Sequence, residues 1–346
     1  MNSLINKLNN KEIEIIASLA AIETKAYSVN KLFEMFQIES YEHLDFFETI
    51  HDLSKKEVLG NSKDTYYLNI DYKNIIFNSN LVNTENCSVL INYFYNKLKN
   101  TKLPFGDDIK NATKQSELLL ESIEDESIAL ANLSIRVYLK HNLSKNYQTA
   151  LKYNKKAIQI LKSIDKLHPR LALCYRDSSF IYSKLGENQT ALKYNKKDIH
   201  ILEAYSGKYN YLLGDSYFAI SRTYDELGDF SKAIEYGKKA IQIEKSYSKN
   251  KSKLKRLSAL YNNLSHYYYM DNDIKNASIY INKAVNLIKK NKFDSNFDLK
   301  YILRNQKYFN SLYKLIVVFE KYKYFILGSA LILTIALIYF IVSLFL

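Results

Sequence analysis

One helical signature recurs four times between Lys145 and Leu287, and it constrains the fold more than anything else in the chain. It reads Ala150-Leu151-Lys152-Tyr153 followed by Ala157-Ile158, and then Ala191-Leu192-Lys193-Tyr194 followed by Asp198-Ile199. Further on come Ala233-Ile234-Glu235-Tyr236 with Ala240-Ile241, and Ala277-Ser278-Ile279-Tyr280 with Ala284-Val285. The leading alanines are 41, 42 and 44 residues apart, a period that predicts stacked supersecondary units rather than a single closed core.

The last three copies share punctuation. A tyrosine stands nine residues before the leading alanine (Tyr182, Tyr224, Tyr268) and a Gly or Asn five before it (Gly186, Gly228, Asn272). Glycine there permits the left-handed backbone that ends one helix and lets the next fold back. Each unit is therefore expected to be a helix hairpin, with small alanines where two helices come close and tyrosines and aliphatics filling the space around them.

The run Leu173-x-Tyr175, Ile181-Tyr182, Leu185-Gly186, Ala191-Leu192-x-Tyr194, with His168-Pro169 in the loop before it, resembles the tetratricopeptide repeat, in its long-period, kinesin-light-chain-like variety. The resemblance implies four repeats over residues 126–293 and a mainly α superhelix. Asp198 departs from it by replacing the second alanine and Asn272 by replacing the glycine. The first repeat's leading helix, Leu130 to Lys140, is followed by a turn a few residues longer than the pattern. Carrying the family's groove positions over implies a partner-binding surface made of Arg176, Phe180 and Lys184, then Phe218, Arg222, Asp225 and Glu226, then Asn262, His266 and Tyr269. Such aromatic and basic groups suit an acidic protein or peptide segment; the Lys and Asn spacing that some relatives use to clamp a terminal carboxylate is not reproduced.

Residues 1–71 read as a separate small domain. Helices are expected near Lys11 to Glu23, Val29 to Phe36 and Tyr41 to Lys56, then a hairpin over 57–68 as the only β structure of note. Three helices and a hairpin ahead of such repeats resemble the winged helix that precedes them in signal-transducing ATPases. Its third helix would carry Glu42, Asp45, Glu48 and Asp52, which phosphates repel, so protein contact is expected rather than DNA. Residues 72–125, with helical patches at Cys87 to Leu98 and Ile109 to Ile123 and a break at Pro104-Phe105-Gly106, are expected to bridge and cap the array.

Charge is unevenly placed. The chain carries +13 overall, yet residues 1–71 hold 7 Lys against 12 Asp and Glu, leaving +18 on the remainder. A loop over Lys245 to Arg256 has six basic residues and no acid; it reads as solvated, or as a contact for anionic lipid or nucleic acid. Residues 294–323 are expected to close the array with one helix, its apolar face including Leu299, Ile302, Leu303, Tyr308, Leu312, Leu315 and Ile316.

Residues 324–346 contain no charge over 23 positions, from Tyr324 through Gly328 and Ala336 to Leu346, long enough to cross a bilayer core. Arg304, Lys307, Lys314, Lys321 and Lys323 precede it, so the expectation is a single-pass tail anchor with the bulk of the chain in the cytosol. Cys87 and Cys174 read as small buried hydrophobes with reduced thiols.

No chemistry of catalysis is legible. The eight glycines form neither a phosphate loop nor a dinucleotide fingerprint, and the six histidines show no metal spacing. No cofactor, metal or enzymatic activity is expected. The preferred reading is a membrane-anchored adaptor or sensor that binds a protein or peptide in the repeat groove. A second makes it a membrane effector of a bacterial defence-like or signalling system, with repeats that sense and self-associated anchors that act. A membrane-tethered transcription regulator is disfavoured by the acidic third helix.

Overall fold

Asn9 starts the first described helix of the computed structural model by a reciprocal cap. Its side chain accepts from the Glu12 N–H while the Glu12 carboxylate accepts from the Asn9 N–H, which satisfies two backbone donors that would otherwise lack partners. The structure describes residues 7–23, 25–100, 106–205, 209–247, 251–291 and 302–317, and the chain divides into two compact units, Met1–Ala204 and Tyr205–Leu346.

In the first unit, α1 (Asn10–Ala20), α2 (Val29–Phe36) and α3 (His43–Lys55) pack beside a three-stranded antiparallel sheet of order β1-β3-β2. Strands β2 (Leu59–Ser62) and β3 (Thr65–Leu68) form the hairpin. The third strand, β1 (Tyr27–Ser28), pairs with β3 and was not expected, since two residues leave no readable alternation. Ile16, Leu32, Phe46, Ile50 and Leu53 are buried among these elements. The expected third helix begins as a 3₁₀ turn (Ser40–Glu42), and Asp45, Glu48 and Asp52 on α3 face solvent beside the exposed Tyr41, Leu44 and Phe47.

Helices α4 (Ile70–Asn78), α5 (Ser88–Lys99) and α6 (Asp107–Ser122) follow; α4 had no counterpart in the sequence reading, and Pro104 and Phe105 lie outside the described residues. Contacts tie these helices to the preceding ones: α5 packs on α2, and the Glu23 carboxylate binds Lys114 at 2.8 Å and Gln115 at 2.9 Å on α6. Both α5 and α6 pack on α7 (Ile128–Leu143), the first helix of the array.

Two hairpins complete this unit, α7 with α8 (Tyr147–Ile164) and α9 (Pro169–Lys184) with α10 (Asn188–Glu203). The second unit holds α11 (Asn210–Glu226) with α12 (Phe230–Tyr247), α13 (Lys251–Met270) with α14 (Ile274–Asn291), and a helix α15 over 302–317. Gly186 and Gly228 turn the chain at φ +80° and +76°, and Asn272 does so at φ 63°. Each turn closes with an N–H to carbonyl bond back across it, as from Glu187 to Tyr182 at 2.8 Å and from Asp229 to Tyr224 at 2.9 Å, which caps the outgoing helix.

The signature residues do what their spacing implies. Ala150, Ala157, Ala191, Ala233, Ala240, Ala277 and Ala284 are fully buried, and so is Asp198 in an alanine's place. The tyrosines stack across each hairpin: Tyr182 on Tyr194 with centroids 5.3 Å apart, Tyr224 on Tyr236 at 5.6 Å and Tyr268 on Tyr280 at 5.4 Å. A lysine one turn on lies over each second ring, Lys197, Lys239 and Lys283 at 5.2, 4.7 and 4.3 Å.

The first hairpin corrects the sequence reading. Helix α7 runs on to Leu143, so its turn is the same length as the others. Lys145 takes the left-handed position at φ 61°, and His141 stacks on Tyr153 at 6.0 Å where the other hairpins use tyrosine. The basic stretch Lys245 to Arg256 is also no loop: only 248–250 fall between α12 and α13, and they lie outside the described residues. Arg256 within it is paired with Asp215 and with Glu244, the latter at 3.0 Å. Among the described residues no helix is long and apolar enough to cross a membrane; the expected span over 324–346 lies outside them.

Candidate functional site

His168 and Pro169 fix where α9 starts: the imidazole Nδ1 accepts from the Arg170 N–H at 3.1 Å, and proline occupies the first turn. From there a spacing of four puts Arg176, Phe180 and Lys184 along one stripe. Phe180 is 40% exposed and the Lys184 ammonium lies 5.4 Å from its ring centroid.

Below that stripe a cavity of about 250 Å³ opens between α5, α7 and α9. Arg136, Arg170 and Arg176 line it with Asp177, while Ile135, Leu139 and Leu173 supply apolar wall. The Arg136 guanidinium lies 5.1 Å from the Tyr95 ring centroid and donates to its hydroxyl at 3.4 Å. Arg170 donates to the Asn132 side-chain carbonyl. Burial pushes the Asp177 carboxyl up to about 6, against the pull of Arg176 and a hydrogen bond from Tyr138. The Tyr95 phenol is drawn below its usual range by Arg136, with Lys99 and Arg170 adding to the field.

The corresponding stripe in the second unit is arranged differently. On α11 the Arg222 guanidinium lies 6.0 Å from the Phe218 ring centroid, and Glu226 is exposed. Asp225 meets His266 of α13 at 3.5 Å and holds the imidazole pKa above its usual value. Asn262 accepts from Asn305 at 3.5 Å, and the Tyr269 hydroxyl is 3.1 Å from that of Tyr308, so both residues face α15. The groove residues are thus not one equivalent set: Arg176 joins a cavity, Phe180 and Phe218 sit in cation–aromatic pairs, and Asn262 and Tyr269 are engaged by a later helix.

Tyr95, Asn132, Arg136 and Arg170 were missed, and a signal for Arg136 existed. Subtracting the 41-residue period from Arg176, Asp177 and Phe180 gives Ile135, Arg136 and Leu139, all of which line the cavity. Both thiols are buried; burial raises that of Cys87 to about 12 and also raises that of Cys174. Among the described residues no three His, Cys, Asp or Glu side chains come together to hold a metal ion.

A profile of the tetratricopeptide repeat matches residues 214–247. A search of curated proteins gives no match. Among solved structures, the apo form of RapI is similar at 15% identity and a TM-score of 0.57, over 81% of this chain and 72% of that one. BtubC (BKLC) from P. vanneervenii shares 15% identity with a TM-score of 0.49, over 65% of this chain and 87% of that one. MamA shares 18% with a TM-score of 0.41, over 54% and 92%. Such low identities speak to the fold alone. The profile covers the third hairpin, and the other three share its left-handed turn and its buried leading alanine; the chain carries a tetratricopeptide repeat at 214–247 within an array of similar helix hairpins.

Proposed function

We propose that this protein is a membrane-tethered adaptor that holds an acidic protein or peptide segment along the first helices of its hairpins. The observation that carries the reading is a pair of an accessible ring and a cation one turn on in two successive hairpins, Phe180 with Lys184 and, one turn earlier in register, Phe218 with Arg222. Aromatic and arginine side chains dominate binding hot spots, and repeat proteins of this type commonly bind protein or peptide partners. The excess of +18 outside the first 71 residues favours an acidic partner whose association weakens with salt. The N-terminal helices and sheet are read as a winged-helix-like part whose acidic α3 contacts protein rather than nucleic acid.

Arg176→Glu combined with Arg222→Glu is expected to abolish partner recovery from the native host with helical content intact, while Leu44→Glu with Phe47→Glu leaves recovery unchanged. The reverse pattern would move recognition to α3. The tether is the uncharged stretch 324–346, with the flanking cations keeping the preceding chain on the cytosolic side. The full chain should stay in a carbonate-washed membrane pellet, and a chain ending at Lys323 should leave it.

A further inference from the structure

We propose that α15, with the exposed face of α14 beside it, lies on the headgroup layer of an anionic bilayer. This deepens the tether reading and rests on it: the span brings the array to the membrane, and α15 holds the last hairpin against its surface. Charge is the first observation. Over the described helices no position of α13, α14 or α15 is acidic, whereas α11 and α12 of the same unit carry five acids. Four lysines of α14, and Arg304, Lys307 and Lys314 of α15, are all exposed, and among the described residues none of the seven forms an ion pair. Cations without counter-charges attract anionic lipid, each one close to the surface adding to the attraction.

The second observation is what stands between those cations. Leu303, Tyr308 and Leu315 of α15 are exposed, Leu315 to 67%, and so is Ile279 between Lys275 and Lys283 of α14. The last helix of a repeat array ordinarily turns a polar face to water; this one turns out leucine among lysine and arginine. Its inner side is already engaged: Ile302 and Phe309 are buried, Gln306 donates to Asn282 at 2.7 Å, and Ser278 donates to Asn310 at 2.6 Å. Leucines interleaved with cations suit the membrane interface, where apolar side chains enter the acyl boundary and long basic stems carry their charge back to the phosphates. Continuity along the chain selects lipid over a protein partner. The uncharged stretch begins seven residues after Val317, so at most about 25 Å of extended chain separates α15 from a bilayer that holds that stretch.

The chain contains no tryptophan, so Leu303→Trp gives the full chain a single reporter on the exposed side of α15, 21 residues ahead of the span. It is reconstituted in vesicles of phosphatidylcholine alone and of equal parts phosphatidylcholine and phosphatidylserine, with and without brominated acyl chains. In the anionic vesicles the emission is expected to shift to the blue and to be quenched by the brominated chains, at least about threefold more than in phosphatidylcholine alone. Reversing Arg304, Lys307 and Lys314 together to Glu should abolish that quenching with helical content and the carbonate-washed pellet unchanged, and Arg304→Lys should preserve it. Quenching that is absent, or equal in the two compositions, overturns the proposal, the second result assigning the contact to the tether alone. Quenching that survives the triple reversal overturns it too, since lipid charge then has no part. The pellet keeps this apart from the tether reading: a chain that carbonate extracts, yet whose reporter is quenched only with phosphatidylserine, supports the surface contact and sinks the span.

Discussion

The first helices of the second and fourth hairpins, α9 and α13, follow one pattern in sequence and present their stripes to different surroundings. Along α9 the stripe opens on a cavity in which Arg136 donates to the Tyr95 hydroxyl and Arg170 to the Asn132 amide. Along α13, Asn262, in the register of Arg176, accepts from Asn305, and Tyr269, in the register of Ser183, meets Tyr308 and Phe309, the last with ring centroids 5.0 Å apart. The amides of Asn282, Gln306 and Asn310 tie α15 to α14 as well. Of the positions that repeat, the one held by Arg176 in α9 and Asn262 in α13 is engaged by α15 only in the fourth hairpin, while His266, in the register of Phe180, stays exposed. In the fourth hairpin the same residues contribute to stability.

The sharpest way to break this contrast is to truncate one ring in each helix. Tyr269→Ala removes a half-buried ring packed against two others and should cost about 1–3 kcal/mol. Phe180→Ala removes a ring that is 40% exposed and should stay within about 0.5 kcal/mol while weakening partner binding. Urea unfolding of the two variants measures it. Equal losses would mean that the stripe of α9 is as structural as that of α13.

A smaller effect, in pH, distinguishes the two ionisable groups. Asp177 is raised to about 6 by burial, so the folded state holds its proton more tightly than the unfolded chain, and stability falls as pH rises from about 4 to 6. His266 is raised chiefly by its hydrogen bond to Asp225. Its contribution is complete below the unfolded value near 6.5 and is lost as pH rises through the folded one. Both slopes have the same sign and occupy different windows. Asp177→Asn should remove the lower one and Asp225→Asn the upper, and added salt should shrink the upper one more because His266 is exposed. Stability curves against pH that keep the lower slope in Asp177→Asn would reassign it to another carboxylate.

How much of this was legible follows from which interactions are local. The hairpins were readable because a turn glycine, a buried alanine and a tyrosine pair all fall within one unit of sequence, as in Gly186, Ala191 and the stack of Tyr182 on Tyr194. Strand β1 was not, because its partner β3 is some forty residues away and gives no pattern in two residues. The cavity was half legible: Arg136 follows from the period, but Tyr95 lies on a helix outside it, and no spacing relates the two. The occupation of Asn262 and Tyr269 by α15 was invisible for the same reason, being a contact between elements and not a property of either.

The smallest predicted effect concerns the one repeat whose punctuation is disguised. Lys145 holds φ 61° at the site where Gly186 and Gly228 stand in later hairpins, and the Asn146 N–H still closes the turn on the His141 carbonyl at 2.9 Å. A side chain with a Cβ in this region costs roughly 1–2 kcal/mol, whereas glycine pays no such penalty but loses about 0.4–1 kcal/mol through the greater freedom of its unfolded chain. The difference is a net gain of up to about 1.5 kcal/mol for Lys145→Gly, with the opposite sign for Gly186→Lys. A loss of stability in Lys145→Gly would show that the lysine side chain contributes more than its backbone strain removes, and that the first hairpin is held by different means from the other three.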